Sequence, residues 1–157
     1  MCIRDSTDFD VSAYAETVRG MARYAQKLAI AQNRNVWLTG SLDTKGNVQG
    51  VGLCYMNASP CPVDQQVPVP SGTNSGNANT RAICAVNGVY APTWYCESAP
   101  SAALSLKISV TFSPFYFNGL GKPFLPDGSN FPTTKYTFSG DNTSITVTVY
   151  QETGYVD

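Results

Sequence analysis

The amino-acid sequence predicts an α+β domain in which one long N-terminal amphipathic helix packs on an antiparallel β-sheet. Two periodicities carry this prediction. Apolar residues recur every three to four positions over about 8–33, as on one face of a helix, and every second position in several segments after residue 36, as in half-buried strands. With 157 residues, the chain has the length of a single domain.

The helix is the first predicted element. Its start can be capped by Ser6, Thr7 or Asp8, and its end is indicated by Asn33 and Asn35, residue types that favour helix termini. The charged residues of the segment lie largely off the apolar stripe, so one face is expected to be buried. The stripe consists of Val11, Tyr14, Ala15, Val18, Met21, Ala22, Ala25, Leu28 and Ala29.

Strands and turns follow the helix. Residues 36–56 predict a hairpin, because the segments "VWLTGSL" and "VQGVGLCYM" flank the turn sequence "DTKGN". Residues 57–79 hold four prolines and many small polar residues, which predicts a long surface loop. A second hairpin is expected to turn at Asn87–Gly88. Three further strands are predicted in "LKISVTF", "KYTFSG" and "SITVTVYQ", each with one buried and one solvated face.

The cysteines indicate disulfides. Cys2 aside, an even set remains, formed by Cys54, Cys61, Cys84 and Cys96. Their spacings lack the C-x₂₋₄-C pairs of most structural zinc sites, so we expect two disulfides and an oxidising compartment. The energies of loop closure leave the connectivity open, since pairing neighbours or crossing pairs, such as Cys54 with Cys84, contribute similar amounts.

Composition excludes several classes of function. The chain has no histidine, which removes Ser-His-Asp and Cys-His catalysis as well as the commonest metal ligand. Its net charge is −1, with ten basic and eleven acidic residues, so no overall field attracts nucleic acid or anionic lipid. We expect no enzymatic activity, no cofactor, no metal and no nucleic-acid partner.

Three stretches carry a resemblance to a known family. They are "RGMARYAQKLAIAQNRNVWLT" at 19–39, "VTFSPFYFNGLGKP" at 110–123 and "ITVTVYQETGYVD" at 145–157. In this order they resemble the type IV pilin-like proteins. The closest likeness is to the minor-pilin branch that contains the type II secretion pseudopilin H and minor pilins of type IV and mannose-sensitive haemagglutinin pili. Segment 64–79 matches nothing in this family.

The resemblance implies a pilin-like fold and a non-enzymatic structural subunit at or near the tip of a type IV pilus or type II secretion pseudopilus. It also implies other pilin subunits as partners, and localisation in the inner membrane and periplasm before assembly. In that family an apolar membrane-spanning helix, released from its leader by prepilin peptidase, precedes the part matched here. We interpret "MCIRDS" (1–6) as translated sequencing adapter, 7–35 as the end of the pilin helix and 36–157 as the globular β domain.

The resemblance divides the helix stripe into two parts. The later residues Ala25, Leu28 and Ala29 are expected to pack on the sheet. The earlier ones are expected to bundle with neighbouring subunits in a filament. This expected filament-packing face consists of Val11, Tyr14, Val18 and Met21.

Aromatic residues support an alternative function, a surface adhesin domain that binds glycans rather than DNA. Exposed aromatic rings can stack on sugars, although most aromatic side chains pack in cores. The candidate adhesive residues are Trp94, Tyr95, Phe115 and Tyr116. DNA is disfavoured because the C-terminal "QETGYVD" carries two acidic side chains and no basic one.

Overall fold

A computed structural model describes residues 6–42, 48–58, 60–70, 77–98, 114–139 and 144–157. One long helix packs against antiparallel strands, which confirms the predicted α+β class. The elements in chain order are α1 (Ser6–Gln32), β1 (Val36–Leu42), β2 (Val48–Cys54), α2 (Ala78–Ile83), β3 (Ala85–Val86), β4 (Val89–Tyr90), β5 (Cys96–Ser98), β6 (Phe115–Phe117), β7 (Pro123–Phe124), β8 (Thr134–Ser139) and β9 (Ser144–Val149), with a 3₁₀ turn at Val63–Gln65.

Helix α1 has 27 residues and so spans about 40 Å at 1.5 Å per residue. It ends in a Schellman motif: Asn33 has φ +49°, its N–H donates to the carbonyl of Ile30, and the N–H of Arg34 donates to that of Ala29. Asparagine tolerates this left-handed conformation, which explains why the predicted helix end is close to the observed one.

The main sheet has five strands in the order β5-β2-β1-β6-β7. Alternation along its strands gives it two different faces. Val36 and Leu38 are buried in the core shared with α1, whereas Trp37 is buried in a second cluster. The second cluster contains the four cysteines. They pair as Cys54–Cys61 and Cys84–Cys96, which confirms the predicted disulfides and identifies their connectivity.

The C-terminal strands form a separate two-stranded sheet that also packs on α1. Tyr136 of β8 pairs with Val147 of β9 in register, and both side chains are buried in the helix core. The ring of Phe138 meets that of Tyr14 edge to face, with centroids 5.7 Å apart. The alternation predicted for β8 is confirmed. In β9, Val147 and Val149 are buried as expected, but Thr148, expected on the solvated face, is also buried, at 7% exposed. Its backbone N–H and carbonyl both pair with Asp157, so the C-terminal residues lie against this part of the strand. The strand predicted in "LKISVTF" lies outside the described residues.

The predicted loop 57–79 is not a surface loop throughout. Val67 is fully buried in the core, its N–H donates to the carbonyl of Leu53, and its carbonyl accepts from the N–H of Tyr95. This stretch therefore lies beside the sheet as extended chain. Its weak pattern of alternation, with Val67 and Val69 buried on either side of an exposed Pro68, was hidden in the sequence among prolines. Residues 71–76 are outside the described part.

Candidate functional site

The three stretches behind the family resemblance meet at Gln26. Its side-chain amide donates to the carbonyl of Gly121, at 3.0 Å, and to that of Thr153, at 2.9 Å. Gly121 lies in the turn between β6 and β7, and Thr153 lies in the turn that follows β9. One side chain of α1 thus holds two turns that are about thirty residues apart in the chain. We call this contact the Gln26 junction.

Glycines allow the backbones to approach closely at this junction. A Cβ atom on Gly154 would lie 2.3 Å from the carbonyl oxygen of Gly121 and 2.7 Å from Nε2 of Gln26. One on Gly119 would lie 2.3 Å from Oδ1 of Asn33, at the end of α1. Because real Cβ contacts are longer than this, a side chain at either position would push the turns away from the helix.

Arginines extend the attachment along α1. Nε of Arg23 donates to the carbonyl of Val156 at 3.0 Å, and the guanidinium of Arg19 donates to that of Thr146. Arg19 also pairs with Glu16, one helical turn earlier. The helix is therefore bonded to the last hairpin and to the C-terminal residues at several points, in addition to its apolar packing.

The expected filament-packing face is buried inside the domain itself. Val11, Tyr14, Val18 and Met21 all belong to the core that α1 shares with the sheets, and each is at most 3% exposed. This corrects the expectation that the earlier stripe residues face neighbouring subunits. The reason is that the C-terminal hairpin packs on α1 in addition to the main sheet. Tyr14, for example, contacts the ring of Phe138 in β8, and its hydroxyl donates to the carbonyl of Glu97 in β5.

Two of the four candidate adhesive aromatics are core residues, which corrects their assignment. Phe115 is fully buried against Phe117 and Phe131. Trp94 is buried over Gly52, where a Cβ would lie 2.7 Å from the indole, and its N–H donates to the carbonyl of Leu53 at 2.9 Å. These rings are parts of the fold and are not available to a ligand.

The other two candidates are half-buried and lie in different places. Tyr116 packs between Trp37 and Phe124, with ring centroids 4.5 Å and 5.5 Å away. Tyr95 packs on Tyr24 of α1 at 5.6 Å and adjoins the helix core. The four residues therefore do not come together as one site.

A pair of tyrosines that the sequence left unassigned is exposed instead. Tyr150 and Tyr155 are 39% and 56% exposed, and their ring centroids are 5.9 Å apart. The chain reverses between them, since the N–H of Tyr150 donates to the carbonyl of Tyr155 and the N–H of Gly154 donates to that of Tyr150. Glu152 and Gly154 both have positive φ in this turn. The alternation of β9 placed Tyr150 on the solvent side, which was the available clue.

These tyrosines line an open depression of about 590 Å³, together with Gln151 and Thr153. Small-molecule sites typically enclose about 300–1,000 Å³. None of the four lining side chains is charged. Beside them, Lys122 pairs with Glu152 at 3.3 Å. The depression adjoins the Gln26 junction, because Thr153 belongs to both.

A buried polar cluster lies where β5 meets α2. Glu97 is only 8% exposed, and its carboxylate accepts a hydrogen bond from the hydroxyl of Thr80. The same hydroxyl is 3.1 Å from that of Ser98 and accepts from the Ser98 N–H. Burial, and secondarily the nearby Glu97 charge, raise the pKa of Tyr14 well above its usual value. This cluster docks α2 on the sheet.

Within the described part of the chain, no three side chains of the metal-binding types converge on a common point. None of the helices described there has the length and hydropathy to cross a bilayer. Comparisons with protein-family models, with curated proteins and with solved structures found no match to this chain.

Proposed function

We propose that this chain is the globular part of a minor pilin or pseudopilin, a non-enzymatic structural subunit of a bacterial type IV pilus or type II secretion pseudopilus. The Gln26 junction is the observation that carries the proposal. Each of three stretches, 19–39, 110–123 and 145–157, resembles the same family. Gln26, in the first stretch, donates hydrogen bonds to the other two. The three stretches, which are far apart in the chain, thus contact one another in the folded domain. This is expected if all three come from one pilin-like fold.

The attachment of α1 fits the mechanics of such a subunit. A pilin is held in its filament by its helix, so force applied to the globular domain passes through the contact between helix and sheet. Here that contact combines apolar burial from Val11 to Ala29 with hydrogen bonds from Arg23 and Gln26 to the C-terminal residues. Because these bonds hold several separate segments, the domain would follow the helix as one body.

The burial of the inner helix face changes which residues would contact neighbouring subunits. Contacts would use the solvent-facing side of α1, which includes the exposed residues Glu16, Gly20, Arg23 and Lys27. The family resemblance adds the apolar segment that precedes this helix in pilins, by which the full-length protein would be anchored in the inner membrane. Prepilin peptidase and sister pilins would be its partners.

The disulfides support an extracytoplasmic location. Both join segments of the layer on the far side of the main sheet, at sequence separations of 7 and 12. Disulfides of this kind persist in the bacterial periplasm and outside the cell. A subunit that forms its disulfides in the periplasm before it is assembled would carry such bridges.

Filament incorporation tests the proposal. The full-length gene, epitope-tagged, would be expressed in the source bacterium, and sheared filaments would be probed for the tag. Gly20→Trp adds a large side chain where a Cβ meets nothing within 4 Å, so the domain should fold normally while helix contacts between subunits are blocked. Val89→Trp, at an exposed position in the disulfide layer, is the matched control.

We expect the tag in the filament fraction for the unchanged protein and for Val89→Trp, and its loss for Gly20→Trp. A tagged protein that stays out of every surface filament, and whose deletion leaves both filament number and type II secretion unchanged, would refute the assignment.

A further inference from the structure

We propose that Tyr150 and Tyr155 form a binding site for a neutral glycan. This goes beyond the proposed filament function and stands independently of it. Among the aromatic side chains that the structure describes, these two are the exposed ones, and they lie side by side on one turn. Their ring planes differ by 34°, and both residues line the same open depression.

The chemistry of the surface fits a sugar ring. One face of a pyranose carries C–H groups, which are attracted to the electron-rich face of an aromatic ring. Its edge carries hydroxyls that both donate and accept hydrogen bonds. The phenols, the Gln151 amide and the Thr153 hydroxyl also do both, and they line the same depression.

Several classes of ligand stack on aromatic rings, and the lack of charge at this site distinguishes between them. Nucleic acid would need cations for its phosphates, but none of the lining side chains is basic, and Lys122 beside them is paired with Glu152. A proline-rich peptide offers mainly carbonyl acceptors to such a groove. The acceptor oxygen of the Gln151 amide would then find no donor on the peptide. A neutral glycan uses the rings, donors and acceptors together.

The site is rigid for an exposed turn. Hydrogen bonds between Tyr150 and both Gly154 and Tyr155 hold the reversal, and Gln26 fixes Thr153 to the helix. A ligand therefore meets a turn whose backbone is already formed, which lowers the entropic cost of binding.

The test uses an array of neutral and acidic oligosaccharides, followed by titration of the best-bound glycan into the oxidised protein. Tyr150→Ala and Tyr155→Ala should each weaken binding about tenfold or more, because each removes one stacking ring. Tyr155→Phe should retain most of the affinity. Leu120→Ala, at an apolar residue that is 86% exposed, is the control and should change affinity less than about twofold.

The proposal is overturned if no glycan on the array binds, if binding survives both alanine variants, or if a proline-rich peptide or single-stranded oligonucleotide binds the tyrosines in its place. Circular dichroism and the unfolding temperature of each variant show that it is folded. The same variants should enter filaments normally, so failure of glycan binding and failure of the filament proposal are separate results.

Discussion

Gly154→Ala should destabilise the domain far more than the same change at another glycine with positive φ. Gly154 has φ +67° and Gly128 has φ +84°, so alanine pays the left-handed backbone penalty of about 1–2 kcal/mol at both. Only at Gly154 would the new Cβ also collide, 2.3 Å from the Gly121 carbonyl oxygen. Overpacking typically costs about 1–3 kcal/mol more. We therefore expect losses of about 1–2 kcal/mol for Gly128→Ala and about 2–5 kcal/mol for Gly154→Ala.

Urea denaturation of the oxidised protein, followed by circular dichroism, measures both free energies of unfolding. A difference of 2 kcal/mol corresponds to about 4–8 °C in unfolding temperature for a chain of this size. Gly88→Ala is a second control, since its φ is +79° and a Cβ there would meet nothing within 4 Å. Equal losses for all three variants, within about 0.5 kcal/mol, would refute the close approach at the Gln26 junction.

Three further outcomes are expected. Gln26→Ala removes two hydrogen bonds of about 0.5–1.5 kcal/mol each, so it should lower the free energy of unfolding by about 1–3 kcal/mol, whereas Lys27→Ala should change it by less than about 0.5. Equal effects in urea denaturation would contradict this. Reducing both disulfides should lower the free energy of unfolding by about 5 kcal/mol, because bridges with sequence separations of 7 and 12 contribute about 2.5–3 kcal/mol each. A midpoint of urea denaturation that is the same with and without reductant would exclude the bridges. Burial raises the pKa of Tyr14 and Tyr136, so folding favours the protonated form of each phenol. The stability gained in this way is present below a pH of about 10, the pKa of unfolded tyrosine, and is lost as the pH rises further. Tyr14→Phe should therefore lose less stability than the unchanged protein between pH 9 and 11, and an identical pH profile would argue against its burial.

The sequence predicts the fold well where one period dominates a segment. The stripe of α1, the hairpin of β1 and β2, and the buried residues Tyr136 and Phe138 all follow from spacing alone. The second hairpin also follows, because Asn87 and Gly88 both adopt the positive φ that their turn needs. These features depend on local sequence, so local patterns are sufficient to find them.

The site was harder to predict because it depends on contacts between distant segments. Periodicity shows that Val11 and Tyr14 are on an apolar face, but not whether that face meets the chain's own hairpin or another subunit. Tryptophan is a residue type that often binds ligands, but Trp94 lies in the core, where Gly52 on β2 leaves room for its ring. The sequence does not indicate Tyr155, because its pairing with Tyr150 depends on a turn through Glu152, a residue type that seldom adopts positive φ.

The N-terminus of the full-length protein tests the central proposal most directly. The complete reading frame would be cloned from the source DNA, expressed with and without a prepilin peptidase, and its N-terminus determined by mass spectrometry. The pilin assignment predicts a short leader removed only when the peptidase is present, followed by about 20 apolar residues that continue into α1. A frame without such an apolar segment, or a product whose N-terminus is the same with and without the peptidase, would contradict it.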